Sequence, residues 1–164
     1  MSEEVLMTQE GYDKLVAERD DLVATKRSEV SEKLKDARSY GDLSENAEFD
    51  AAKDEHLWVE NRIKELDDLL KNARVVNVDE LSEDSVYVGL FVKVKDVASS
   101  EEEVYSILGV TESDPFSDPP RISYDSPIGK AMFGRKIGDT FEFETPDGKM
   151  QYKIEEISKV MPEL

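Results

Sequence analysis

The chain has 164 residues, with 39 acidic side chains against 21 Lys and Arg, a net charge of −18 and no cysteine. That charge excludes the broad basic footprint of nonspecific DNA binding, and the missing thiols exclude a disulfide scaffold and thiolate metal or redox sites. An acidic start, Met1-Ser2-Glu3-Glu4, and the lack of any run near eighteen apolar residues point to a cytoplasmic protein with no membrane partner.

The first predicted element is a long helix opening near Thr8, a suitable N-cap. It offers Leu15, Leu22, Val30, Leu34 and Ala37 as one seam, with Arg19 and Lys26 interrupting and the phase slipping after Leu22. A second long helix shows a clearer pattern. Phe49, Ala52, His56, Val59, Ile63, Leu66, Leu70 and Ala73 alternate spacings of three and four, which keeps one stripe facing a partner helix. Between them lie Gly41-Asp42-Leu43-Ser44-Glu45-Asn46-Ala47-Glu48-Phe49. So short a connection makes the two arms antiparallel, and each can bury the other's seam as an αα-hairpin. An arm of some thirty residues spans roughly 45 Å at the helical rise, so the carboxylates of the connection sit at the tip of a long probe.

The tip has two readings on spacing alone. Asp42 followed three residues later by Glu45 matches a capping box, in which both side chains satisfy orphan backbone donors, and first-turn acids suit the helix dipole. Ser44 could cap instead. Alternatively, Asp42 and Glu45 project toward a hard cation such as Mg²⁺, which prefers carboxylate oxygens and retains several waters. Two carboxylates on an exposed turn are an incomplete site, so any chemistry needs further ligands from a partner that the hairpin enters. Lys26, Arg27, Lys33, Lys35 and Arg38 concentrate near this end, with Lys53 across the hairpin. They form either a solvated face paired with Glu29, Glu32 and Asp36, or a small patch steering a phosphate chain toward the tip.

After Arg74 the period changes. Val75 to Val78, Val86 to Val97 and Glu103 to Val110 read as strands, and Arg121 to Tyr124 as a short one. Glu112 to Pro120 is an acidic loop rich in Pro and Ser. Pro127 through Phe133 predicts a short helix with proline in its first turn, ended by Gly134. Thr140 to Glu144 and Met150 to Ile157 flank Pro146-Asp147-Gly148, a turn signal that makes them a hairpin. The chain thus reads as α+β, a coiled-coil hairpin over residues 1–76 and a small mixed sheet with one short helix over 77–164. His56, the only histidine, falls on the seam and reads as a packing residue, since no second ligand shares its face at metal spacing. Trp58 lies beside the seam and reads as a flank residue.

The tip segment, together with Ser126-Pro127-Ile128-Gly129-Lys130-Ala131-Met132-Phe133-Gly134, resembles the tip and C-terminal signature of the Gre family of bacterial transcript cleavage factors. Leu6 to Tyr12, Gly138-Asp139 and Pro146-Asp147-Gly148 extend the likeness over nearly the whole chain. The resemblance implies an antiparallel coiled coil that enters the secondary channel of bacterial RNA polymerase, and an FKBP-like C-terminal domain that docks at the channel rim. It implies further that Asp42 and Glu45 are the catalytic carboxylates, holding a Mg²⁺ shared with the polymerase active site and positioning the attacking water. The polymerase then remains the enzyme, and the isolated protein holds no cofactor. Asn46, Glu48 and Phe49 would support the tip, Phe49 standing where tyrosine is common. Arg38 and Lys53 would face the 3′ segment of the nascent RNA, while Asp125, Ser126 and Pro127 would dock on the polymerase. Arg19, in place of an apolar residue, and the Asp114 to Pro120 loop depart from the family pattern. An anti-cleavage paralogue working through the same channel would carry a denser acidic tip, and a plain coiled-coil adaptor would need neither Asp42 nor Glu45. The separated Asp42 and Glu45 favour a cleavage factor, expected to be a monomer.

Overall fold

The structure, a computed structural model, describes residues 4–39 and 46–163. In chain order these form β1 (Val5–Thr8), α1 (Gln9–Asp21), a π turn over Leu22–Lys26, α2 (Arg27–Ser39), α3 (Asn46–Lys71) and β2 (Ala73–Val76). There follow a 3₁₀ turn at Val78–Glu80, β3 (Phe91–Asp96), β4 (Glu102–Leu108), β5 (Arg121–Ser123), α4 (Pro127–Met132), β6 (Thr140–Thr145) and β7 (Gly148–Ser158). Two compact units result: residues 12–72, and the N-terminal stretch to Gly11 together with Ala73 onward. The division therefore falls at residue 72 rather than 76. The cause is a strand that the apolar pattern of residues 5–8 is too short to announce: β1 pairs in parallel with β2, Val5 against Ala73 through Thr8 against Val76. No helix of the described residues is long and apolar enough to cross a membrane.

The helical unit is an antiparallel hairpin. Glu18 is bridged by Arg62, Arg27 reaches Glu60 and Lys33 reaches Glu55, so partner numbers fall on one arm as they rise on the other. Leu15, Leu22, Val30 and Ala37 of the first arm are buried, as are Ala52, Val59, Ile63 and Leu66 of the second. The slip after Leu22 now has a physical form. Leu22 and Val30 are eight residues apart where the heptad needs seven, and the π turn absorbs the extra residue, returning Val30 to the seam with no exposure at all. Apolar burial, about 1.5–3 kcal/mol per large side chain, outweighs exposed ion pairs worth about 0.2–1 kcal/mol each. The seam holds the arms together, and the ion pairs select their register. Arg19 belongs to that set: it bonds Asp67 across the hairpin, and the hydrogen bond and charge of Asp67 raise its pKa further.

The second unit is built on a five-stranded mixed sheet in the order β5-β4-β3-β7-β6. Only β4–β5 is parallel; β3 pairs antiparallel with both β4 and β7, and β6–β7 is the hairpin that Pro146-Asp147-Gly148 predicts. Val86, Leu90, Val92, Val94, Ile107, Met132, Phe141 and Ile154 fill one core between this sheet and α4. The Val86 to Val97 run is not one strand. The chain turns at Tyr87–Leu90, with Gly89 at φ +100° and the Leu90 N–H on the Tyr87 carbonyl at 3.3 Å, and only Phe91–Asp96 joins the sheet. Val86, Val88 and Leu90 are fully buried regardless, so apolarity read burial correctly and strand length wrongly.

Candidate functional site

The arms are joined by residues 40–45, so Asp42 and Glu45 lie outside the described residues. Arg38 falls in the last turn of α2 and Asn46 opens α3, and their side chains lie outside them also. What is described is the root of the tip. Glu48 is exposed in the first turn of α3, Phe49 is half-buried at the end of the seam, and Lys53 is exposed one turn on. Glu48, Lys33, Asp36, Ala37, Ala52 and Glu55 line an open cleft of about 350 Å³ between the two arms. Of the basic residues near this end, Lys26 is bonded to Glu29 at 3.5 Å, Arg27 to Glu60 at 2.8 Å and Lys33 to Glu55 at 3.1 Å. Much of that patch is thus the internally paired face, leaving Lys35 and Lys53 as described cations at the surface.

His56 sits on the seam as its spacing predicts. Its Nδ1 is buried and has no hydrogen-bond partner among the described residues, and no group of three or more potential metal ligands occurs among them. Trp58 is 60% exposed on the flank of α3.

At the C-terminal signature, local chemistry assigns each residue a place. The Ser126 hydroxyl donates to the Ser123 carbonyl at 2.7 Å and accepts from the Gly129 N–H at 3.1 Å, which makes it the N-cap of α4. Pro127 occupies the first helical turn, where its missing N–H has no cost. Asp125 accepts a short hydrogen bond from the Ser123 hydroxyl. Gly129 is required by proximity: a Cβ there would lie 2.0 Å from the Ser123 carbonyl oxygen. The result is a rigid corner on which Asp125 and Pro127 are exposed and Ser126 is half-buried.

One residue that sequence reasoning placed only in an acidic loop proves structural. The Glu112 carboxylate accepts from the Thr8 N–H at 3.2 Å, the Thr8 hydroxyl and the Gly109 N–H at 3.1 Å. Thr8 meanwhile caps α1 as its position predicts, its Oγ1 accepting from the Gly11 N–H at 3.1 Å. Glu112 lies 104 residues from Thr8, and no local pattern could have paired them.

Residues 5–75 match the family model described as "Transcription elongation factor, N-terminal", and residues 81–159 the model "Transcription elongation factor, GreA/GreB, C-term". Transcription elongation factor GreA of Thermoanaerobacter pseudethanolicus is 46% identical over 97% of this chain and 100% of its own length. Its counterpart in Acetivibrio thermocellus is 46% identical over 96% of this chain and 98% of that protein. Among solved structures, GreA factor homolog 1 of Thermus thermophilus aligns over 94% of this chain and 98% of its own, at 28% identity and a TM-score of 0.44. With both halves matched in order and near half of all positions shared with full-length relatives, the chain belongs to the GreA/GreB family of transcription elongation factors.

Proposed function

We propose that this protein inserts its helical hairpin into the secondary channel of bacterial RNA polymerase and stimulates cleavage of backtracked RNA by the polymerase itself. The observation that carries the reading is the family match over both halves, joined to a hairpin whose arms are connected through Asp42 and Glu45. Two carboxylates offer Mg²⁺ hard oxygen donors but too few of them, so the donor set suits an ion completed by polymerase ligands and RNA. When bound, that ion supplies Lewis-acid stabilisation of the phosphoryl charge and a more acidic attacking water. Asp42 and Glu45 add negative charge and orient the water. Asn46, Glu48 and Phe49 support the tip at the start of α3, and Lys53 with Arg38 meets the phosphates of the RNA 3′ segment. Pro127 and Asp125 present the docking corner at the channel rim, and Ser126 acts there chiefly by capping α4.

The protein is in this reading not itself an enzyme and acts as a monomer. Adding it to a stalled, backtracked bacterial elongation complex with labelled RNA tests the reading. Shortening of the RNA from its 3′ end with polymerase present, and none with the isolated protein, is expected. Cleavage by the isolated chain, or none in the complex, contradicts it.

A further inference from the structure

The loop that departs from the family pattern borders a groove in the sheet unit of about 490 Å³. Val104, Ile122, Ile128 and Met161 give the groove apolar walls, with Pro115, Pro119 and Pro120 along the loop side. Its charged lining is Glu102, Glu103 and Asp118, and no Lys or Arg lines it. Glu102 is bonded to Lys93 at 3.2 Å and Glu103 accepts from the Tyr105 hydroxyl. The Asp118 side chain has no hydrogen-bond or ion-pair partner among the described residues. From the same loop Phe116 projects with 96% of its surface exposed, an extreme for so large an apolar side chain.

The loop is tied at both ends. Asp114 and Arg121 exchange two backbone hydrogen bonds of 2.9 Å, the Phe116 N–H donates to the Asp114 carboxylate at 3.1 Å, and the Ser117 hydroxyl bonds the carbonyls of Asp114 and Pro119, both at 2.8 Å. Phe116 is therefore held outward before any partner arrives, which lowers the ordering cost of using it.

We propose that this groove and Phe116 form a docking surface for a segment of RNA polymerase that combines an aliphatic or aromatic side chain with a Lys or Arg. The inference rests on the polymerase reading above and adds the chemistry of the contacted segment. Charge selects the occupant: carboxylates beside an apolar cleft attract a cation carried on an apolar segment and repel RNA phosphates. They also disfavour a second copy of a chain whose net charge is −18.

Affinity of the full chain for core bacterial RNA polymerase, measured by displacement of a labelled copy at low and moderate salt, tests this. Asp118→Lys is expected to weaken binding about tenfold at low salt, with the difference shrinking as salt rises. Phe116→Ser weakens it several-fold at both salts, because an apolar contact is not screened. Asp147→Lys, an equal charge change in the exposed β6–β7 turn, leaves affinity unaltered. All three sites are exposed, so folding is preserved. If Asp118→Lys and Phe116→Ser bind as the unaltered chain does, or if Asp147→Lys weakens binding as much as Asp118→Lys, the groove proposal is overturned and the polymerase reading stands. No binding by the unaltered chain overturns both. A free chain that sediments as a dimer, and as a monomer with Phe116→Ser, assigns the groove to a second copy and overturns the proposal.

Discussion

Gly129 shows how a single residue builds the corner that the proposed function assigns to docking. The Ser123 carbonyl accepts from Ser126 while lying 2.0 Å from where a Cβ on Gly129 would stand, so the turn and the helix N-terminus share one space. Gly129→Ala must push α4 off this carbonyl and is expected to destabilise the sheet unit by about 2 kcal/mol. Urea unfolding followed by the signal of that unit checks this, and a midpoint equal to that of the unaltered chain contradicts it. Ser126 and Pro127 separate by the same logic. Ser126→Ala loses a cap worth about 1 kcal/mol and changes stability as well as docking, whereas Pro127→Ala, at an exposed position, tests docking more cleanly. Its expected effect is weaker polymerase binding with much of the cleavage rate regained at saturating protein. Unchanged affinity with cleavage lost at saturation contradicts the placement of Pro127 at the rim.

At the scale of elements, the hairpin was legible because its information is local. Seam residues repeat every three or four positions, and Val59, Ile63 and Leu66 are buried where that spacing puts them. Even the irregularity was visible as an eight-residue step from Leu22 to Val30, although the step alone does not say whether the helix unwinds or the seam rotates. The π turn answers this and makes a prediction. Deleting Ala24, an exposed residue inside it, should convert Leu22–Lys26 to regular α-helix with heptad spacing restored and thermal stability kept or raised. If the first arm were instead uniformly α-helical, the deletion would rotate Val30 and Ala37 off the seam and cost several kcal/mol, which thermal unfolding distinguishes.

The sheet unit was legible in part. Its β6–β7 hairpin and α4 carry their own turn and proline signals, whereas β1–β2 pairing and the Glu112 clamp join residues 68 or more positions apart and leave no periodic trace. Its core also holds polar chemistry that no pattern shows. Burial, then the neighbouring Glu103, raises the Tyr105 pKa far above the usual 10, and burial followed by the charge of Glu103 raises that of Tyr152. A raised folded-state value means that the protonated form is favoured on folding. The stability this lends is complete below pH 10 and is lost as pH climbs beyond it. Alkaline unfolding of the sheet unit should therefore accompany tyrosinate formation, and Tyr105→Phe should move its onset to higher pH. Ionisation of Tyr105 near pH 10 without loss of structure contradicts the assignment.

For the whole molecule, the proposed function brings a chain of net charge −18 to a polyanion, which requires any contact with RNA to be confined to a small region. The pairing of Arg27 and Lys33 with acids of the opposite arm narrows that region further toward the tip. The central claim is that Asp42 and Glu45 do chemistry rather than cap a helix, and one variant separates the two. Asn caps about as well as Asp, and Gln replaces Glu in a capping box, so Asp42→Asn with Glu45→Gln should alter stability by only about a few tenths of a kcal/mol. Each amide removes a negative charge from a proposed Mg²⁺ ligand, so the rate of RNA cleavage in a backtracked elongation complex at saturating protein should fall by about a hundredfold or more. Measured beside thermal unfolding and polymerase affinity, a large loss of cleavage with both of those unchanged is the result predicted. Near-normal cleavage by the double amide variant would leave Asp42 and Glu45 as caps and contradict the account.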